Sequence, residues 1–294
     1  MGTSSSFGGQ KGGTPLIPSW LGDGDTAPSS NGNDSSQGDG TADGSTDAAQ
    51  PATANPPTAP VPQSAPPTRF QASRTNFTRF VKSGGQDRAS LGRAMSGYVS
   101  TASGGARTAA QKMGASRAGG VNLANFLANV RTQGVTTALQ SLNLDTLAGR
   151  PIEEVFLGLI DYVCPENGSI DAGIARDAFV ETIVDLAELG ITDLNTLTAD
   201  QMQTVLELYV THAIEARLCN DIGTKIAIAS DTQDFDRVQE QLRDFIQGGV
   251  SDALTQARNQ MEALTPERTT QFIDRIYEQS FAILQSLGEQ EAER

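Results

Sequence analysis

The chain has 294 residues, only 5% of them aromatic, and a formal net charge of −14. That acidity excludes nucleic-acid binding by the surface as a whole, and two isolated cysteines without a CxxC exclude a disulfide framework. Unbroken apolar runs stay near six residues, far below the ~20 that a membrane-spanning helix needs, and the N-terminus has no apolar core of a signal peptide; a reduced, cytoplasmic setting is expected.

Residues 1–22 form a unit, an N-terminal recognition tail. They offer only Phe7, Leu16, Ile17, Trp20 and Leu21 for burial, yet Trp20 is the only tryptophan of the chain. Gly2 is small enough for methionine aminopeptidase to remove Met1, which exposes a glycine amine. Such α-amines have a pKa of about 7.7–8.0, so an appreciable fraction is neutral and nucleophilic. Gly2, Gly8 and Gly9, with Thr3, Ser4 and Phe7 around them, suit a tail that threads a narrow channel. Pro15, Leu16, Pro18 and Trp20 form a stiff apolar peptide with one aromatic anchor. Met1-Gly-Thr-Ser-Ser-Ser6 also fits the short myristoylation pattern, but no polybasic cluster lies nearby to supply a second membrane signal, and no membrane partner is expected. Residues 23–68 are Gly/Ser/Asp-rich and then Pro-rich. They have too few apolar side chains to offset the entropy of ordering them and are expected to be a disordered linker.

Charge changes sign in residues 69–120. Residues 69–118 carry seven Arg and two Lys against Asp87 alone, a net +8. Phe77, Phe80 and Val81 predict one short helical face, and Leu91, Met95, Tyr98 and Val99 another, at i, i+4, i+7 and i+8. Gly84-Gly85 is expected to separate them, and Gly104-Gly105 and Gly119-Gly120 are expected to break the chain further on. Arg69, Arg74, Arg79, Lys82, Arg88 and Arg93 alternate with Phe77 and Phe80, a pattern that can serve single-stranded nucleic acid. The favoured reading is that these cations neutralise an acidic body instead.

Residues 121–294 have net charge −17 and read as an acidic helical domain. Leu123, Phe126, Leu127 and Val130 predict a helix that stops near Gly134, with a short one over 136–144. Pro151 reads as the first residue of the next, with Glu153 and Glu154 in its dipole-favoured first turn. Ser169 is expected to cap a helix that ends before Gly190. Its stripes Phe179/Ile183/Leu186 and Val180/Val184/Ala187 are both expected to be buried, which makes it a central helix. Thr198 and Gln201 spell a capping box. Residues 225–229 are apolar but too short to assign. Phe235, Val238, Leu242, Phe245 and Ile246 predict a helix that Gly248-Gly249 stops. Val250, Leu254, Ala257, Met261 and Leu264 predict the next, and Thr265-Pro266 opens the last, which Gly288 ends before a frayed acidic tail. The fold class is all-α, a multi-helix globular domain preceded by a long disordered N-terminal tail.

Catalytic chemistry finds little support. His212 is the only histidine and has no nucleophile placed beside it in sequence, so it reads as structural. Cys164 and Cys219 read as small buried hydrophobes rather than metal ligands. The loop 164–171 lacks the ligand spacing of a calcium loop. No Walker A sequence is present. No cofactor, no metal and no catalytic residue is expected, and the chain reads as a non-enzyme.

Several stretches together carry a family resemblance: Met1-Gly-Thr-Ser-Ser-Ser-Phe-Gly-Gly and Thr14-Pro-Leu-Ile-Pro-Ser-Trp; Ser83-Gly-Gly with Asp87-Arg-Ala-Ser-Leu-Gly-Arg-Ala; Val155-Phe-Leu-Gly-Leu; Cys164-Pro with Ser169-Ile-Asp-Ala-Gly-Ile-Ala-Arg-Asp-Ala; and Glu215-Ala-Arg. The chain resembles the QatB family of the Qat anti-phage defence system. The resemblance implies a non-enzymatic component that works with an ATPase, a QueC-like enzyme and a TatD-like nuclease. With such a partner, the tail is expected to be what the QueC-like enzyme reads, and Gly2 is the candidate for modification with a deazapurine; the resemblance signals the family and not this modification. Two other classes stand beside this one. One is a nucleic-acid-binding module acting through the basic 69–118 segment. The other is a scaffold or structural assembly protein.

Overall fold

The computed structural model describes residues 68–223, 232–261 and 266–294, with side chains of 258–261 and 266–267 left aside. The recognition tail, the linker up to residue 67, the apolar stretch 225–229 and the side chains of Met261 and Leu264 lie outside the described residues. Those that are described belong to one compact unit, Pro62–Arg294. They are 82% helical without a strand, so the chain is all-α.

Polar caps set the helix starts that the sequence marks. α1 (Gln71–Lys82) is followed by α2 (Arg88–Gly97). The Asp87 carboxylate caps α2 by accepting from Ser90 N at 2.9 Å; hydrogen bonding to Ser90 holds its pKa below the ordinary value. A π-helical turn, Tyr98–Ala102, links α2 to α3 (Ala106–Gln111). α4 (Gly114–Gln133) and α5 (Val135–Gln140) come next. α6 (Ile152–Val163) starts one residue later than the sequence predicts, because Pro151 is extended at ψ 150° and caps the helix from outside. Ser169 caps α7 (Ile170–Glu188), accepting from Ala172 N at 3.1 Å. Both halves of the Thr198/Gln201 capping box are formed at the start of α8 (Ala199–Ile222). α9 (Thr232–Met261) and α10 (Pro266–Ala292) complete the fold.

The central element is α8, not α7. α8 packs between α7 and α9 and touches α4, and its buried set includes Thr211, His212, Glu215 and Asp221 beside Tyr209, Ala213 and Ile214. On α7, Phe179, Ile183 and Leu186 are buried as expected, and Phe179 stacks on Phe156 of α6 at 5.6 Å. The second stripe is not buried: Val180 and Val184 are 39% and 47% exposed, and Ala187 is exposed too. The two stripes lie on different sides of the helix, and only one side meets α8.

Glycine pairs divide into two kinds. Gly84-Gly85 and Gly104-Gly105 have positive φ and break the chain as expected. Gly119-Gly120, Gly248-Gly249 and Gly288 do not: α4, α9 and α10 run straight through them. Each instead lets another side chain or helix come close. A Cβ on Gly119 would collide with Tyr209 Oη, and one on Gly249 would sit 2.9 Å from Leu284 Cδ2. At the α2–α10 crossing, a Cβ on Gly92 would lie 2.5 Å from the Gly288 carbonyl oxygen, and one on Gly288 would lie 2.7 Å from the Gly92 carbonyl oxygen. α10 therefore continues past Gly288, and the acidic end is held by α2 instead of fraying. Arg93 Nη1 donates to Ala292 O at 3.3 Å, where a cation meets a helix C-terminus favourably.

Candidate functional site

The tail residues Gly2, Thr3, Ser4, Phe7, Gly8, Gly9, Pro15, Leu16, Pro18 and Trp20 lie outside the described residues. The basic segment is described, and its aromatics are core. Phe77 and Phe80 are 0% exposed, 5.9 Å apart between ring centres, and cannot act as a stacking platform. Arg74, Arg79, Lys82, Arg88 and Arg93 keep exposed side chains, but several are engaged with the body. Arg74 Nε donates to the Asp221 carbonyl at 2.9 Å, Arg88 lies 3.9 Å from Glu291, and Arg93 Nη1 donates to Ala292 O at 3.3 Å; further along the segment, Arg117 pairs with Asp274 of α10. The segment thus packs on α8, α9 and α10 through both apolar and charged contacts.

Two polar clusters in the core escape a one-dimensional reading, because they join residues far apart in sequence. In the first, His212 is 2% exposed, with Nε2 2.7 Å from Asp185 of α7 and Nδ1 3.7 Å from Glu215. Arg243 Nε of α9 donates to Glu215 at 3.1 Å. The cluster ties α7, α8 and α9 together, and its lone histidine is saturated by carboxylates rather than aimed at a nucleophile. In the second, Tyr98 Oη and Arg217 Nε both donate to the Asp221 carboxylate, at 2.8 and 3.1 Å. Arg217 also reaches Asp171 at 3.4 Å, and Asp171 accepts from Ala115 N at 2.6 Å. Burial, then the Asp221 charge, pushes the Tyr98 phenol up.

The thiols are inert by the same physics. Burial pushes Cys164 up to about 11 and Cys219 up to about 12, so at neutral pH both are protonated and poor nucleophiles. No group of three or more His, Cys, Asp or Glu among the described residues is placed to hold a metal ion. No described helix is long and apolar enough to cross a membrane. An open cleft of about 610 Å³ runs between α3, the start of α4 and α10. Its lining is mixed, with Arg107, Ala110 and Gln111 on one side and Asp274, Arg275 and Glu278 on the other.

Fold and clusters together define a class: an all-α protein whose described polar groups knit helices to one another. A family model described as Qat anti-phage system associated protein QatB matches residues 104–284. The chain belongs to the QatB family and so takes part in the Qat anti-phage system. No curated protein and no solved structure matches it. The matched span begins at the Gly104-Gly105 break and takes in α3 through most of α10, so it covers both polar clusters apart from Tyr98 and leaves the N-terminal tail outside.

Proposed function

We propose that this QatB protein is a non-enzymatic component of the defence system, cytoplasmic, and that its first 22 residues are its working end. The QueC-like enzyme of the system reads the tail and conjugates a deazapurine to Gly2. The ATPase and the TatD-like nuclease are its further partners. The observation that carries this reading is the chemistry of the tail. Residues 1–22 hold one charged side chain, Lys11, the single Trp20, and a glycine behind the initiator methionine.

The step balances without any group from the helical body. An enzyme of this class uses ATP to activate a deazapurine carboxylate. The neutral Gly2 amine attacks the activated carbonyl carbon. An amide C–N bond forms, the bond to the ATP-derived leaving group breaks, and the amine gives up a proton. Neither thiol nor the histidine of the described body competes as a nucleophile, since both thiols are held protonated and His212 is enclosed by Asp185 and Glu215.

The genetic test is a Gly2→Glu chain, which retains Met1 and offers no glycine amine, expressed with the complete system under phage challenge. Protection is expected to fall to the level of a system without this gene. Full protection by Gly2→Glu would reject the role of Gly2.

A further inference from the structure

We infer that the place where the start of α1, the turn after α3 and the last turns of α8 converge is a binding site for a phosphate-type anion. Four cations meet there: Arg69, Arg74, Lys112 and Arg217. Two carboxylates answer them, Asp171 and Asp221, and both are taken by Arg217, at 3.4 and 3.1 Å. Arg74 is committed to the Asp221 carbonyl. Arg69 and Lys112 are left with no carboxylate partner among the described residues, in a chain that carries 35 acidic residues against 21 basic ones. With carboxylates that plentiful, two adjacent half-buried cations without one mark a place that an anion from outside can neutralise.

The surroundings fit that ligand. Arg69 is held over the Phe70 ring, its guanidinium carbon 4.6 Å from the ring centre, and Phe70 in turn stacks on Tyr98 at 5.7 Å. Lys112 Nζ is fixed by the Ser103 carbonyl at 3.1 Å. The Ser103 hydroxyl is buried with no hydrogen-bond partner among the described residues. Burial, then the nearby Arg69 charge, holds the Lys112 amine below its ordinary pKa, with Arg217 acting the same way and Asp221 against it. Local positive charge therefore exceeds local negative charge, and a dianion placed between Arg69 and Lys112 removes the repulsion. Phosphate of a free polyphosphate and phosphate of a nucleic-acid strand present the same chemistry. The site joins Arg69 and Lys112 of the basic segment to Arg217 of α8, and leaves out the exposed Arg79, Lys82, Arg88 and Arg93.

Calorimetric titration of the full chain at low ionic strength tests the site. One arm uses pyrophosphate and the other a single-stranded DNA oligomer, against the wild type, Lys112→Gln, Arg69→Gln and Arg88→Gln. Saturable pyrophosphate binding that each of the first two substitutions weakens by about tenfold, the worth of one charge-assisted hydrogen bond, and that Arg88→Gln leaves alone, supports a free-phosphate site. The same residue dependence seen with the oligomer alone assigns the site to a strand. Circular dichroism checks each variant's fold, and Arg69, which precedes α1 and bears no buried hydrogen bond, carries the test if Lys112→Gln unfolds. Binding of neither probe, or binding indifferent to Lys112 and Arg69, overturns the inference.

Discussion

Two helix seams in this protein do the same job with opposite chemistry. The α2–α10 seam is closed by backbone against backbone, through Gly92 and Gly288, with Arg88–Glu291 and Arg93–Ala292 O only at the C-terminal end of α10. The α7–α8–α9 seam is closed by ions, with His212 between Asp185 and Glu215 and Arg243 completing the row. Where backbone meets backbone, a seam tolerates no added atom. An ionic seam tolerates some reshaping but not the removal of one partner, because the others stay buried without it.

The sharpest break of this comparison is Gly92→Leu. Even its Cβ would meet the Gly288 carbonyl oxygen at 2.5 Å and Ala292 N at 2.8 Å, and both are backbone atoms that cannot step aside. A loss of about 3 kcal/mol in urea denaturation is expected, at the upper end for overpacking. Glu215→Ala comes next. It strips the 7%-exposed carboxylate from Arg243 and His212, and a loss of about 2 kcal/mol is expected once the partial exposure of Arg243 is allowed for. Glu215→Gln, which keeps an acceptor, should lose less; equal losses would mean that the charge is irrelevant to the seam.

The third effect is a pH dependence that neither seam produces. Cys164 and Cys219 are raised from the ordinary 9.0 to about 11 and about 12. The folded chain therefore binds more protons than the unfolded chain above pH 9, and their stabilising contribution is complete below that pH. It is lost as pH rises through the folded values. Urea midpoints should fall between pH 9 and 11, and a Cys164→Ala, Cys219→Ala chain should show a flatter decline. The smallest effect is at the outer face of α7. Val184→Ser, at a 47%-exposed position, should change stability by less than about 0.5 kcal/mol. Ile183→Ala beside it, 6% exposed, should cost about 2 kcal/mol.

How much of this was legible in the sequence depends on the range of the signal. Caps are local, and Asp87, Ser169, Thr198 and Gln201 all cap helices, three of these residues at starts that the sequence marks. The all-α class comes from periodicity that extends over whole helices. Glycine was misleading because its role depends on what lies across from it. Gly248-Gly249 and Gly104-Gly105 look alike in sequence, yet Gly249 faces Leu284 and Gly104 faces nothing within 4 Å. The second α7 stripe failed for a related reason: Val180 and Val184 are apolar at helical spacing, but no described helix is placed to cover them. The ion rows were out of reach altogether. Asp185, Glu215 and Arg243 look like solvated helix charges until the fold brings them to His212. Of the site residues, those of the tail rest on sequence chemistry alone, whereas Lys112 and Arg217 emerged only from three-dimensional proximity.

Both seams hold the body together, and the proposed function rests on the tail they carry. The most direct measurement is therefore the intact mass of the full chain purified after coexpression with its QueC-like partner, together with fragmentation of the N-terminal peptide. The account predicts loss of Met1 and a mass increase equal to one amide-linked deazapurine on Gly2, absent when the partner is left out. An unmodified Gly2 in the presence of an active partner, or the same increase carried by another residue, would contradict it.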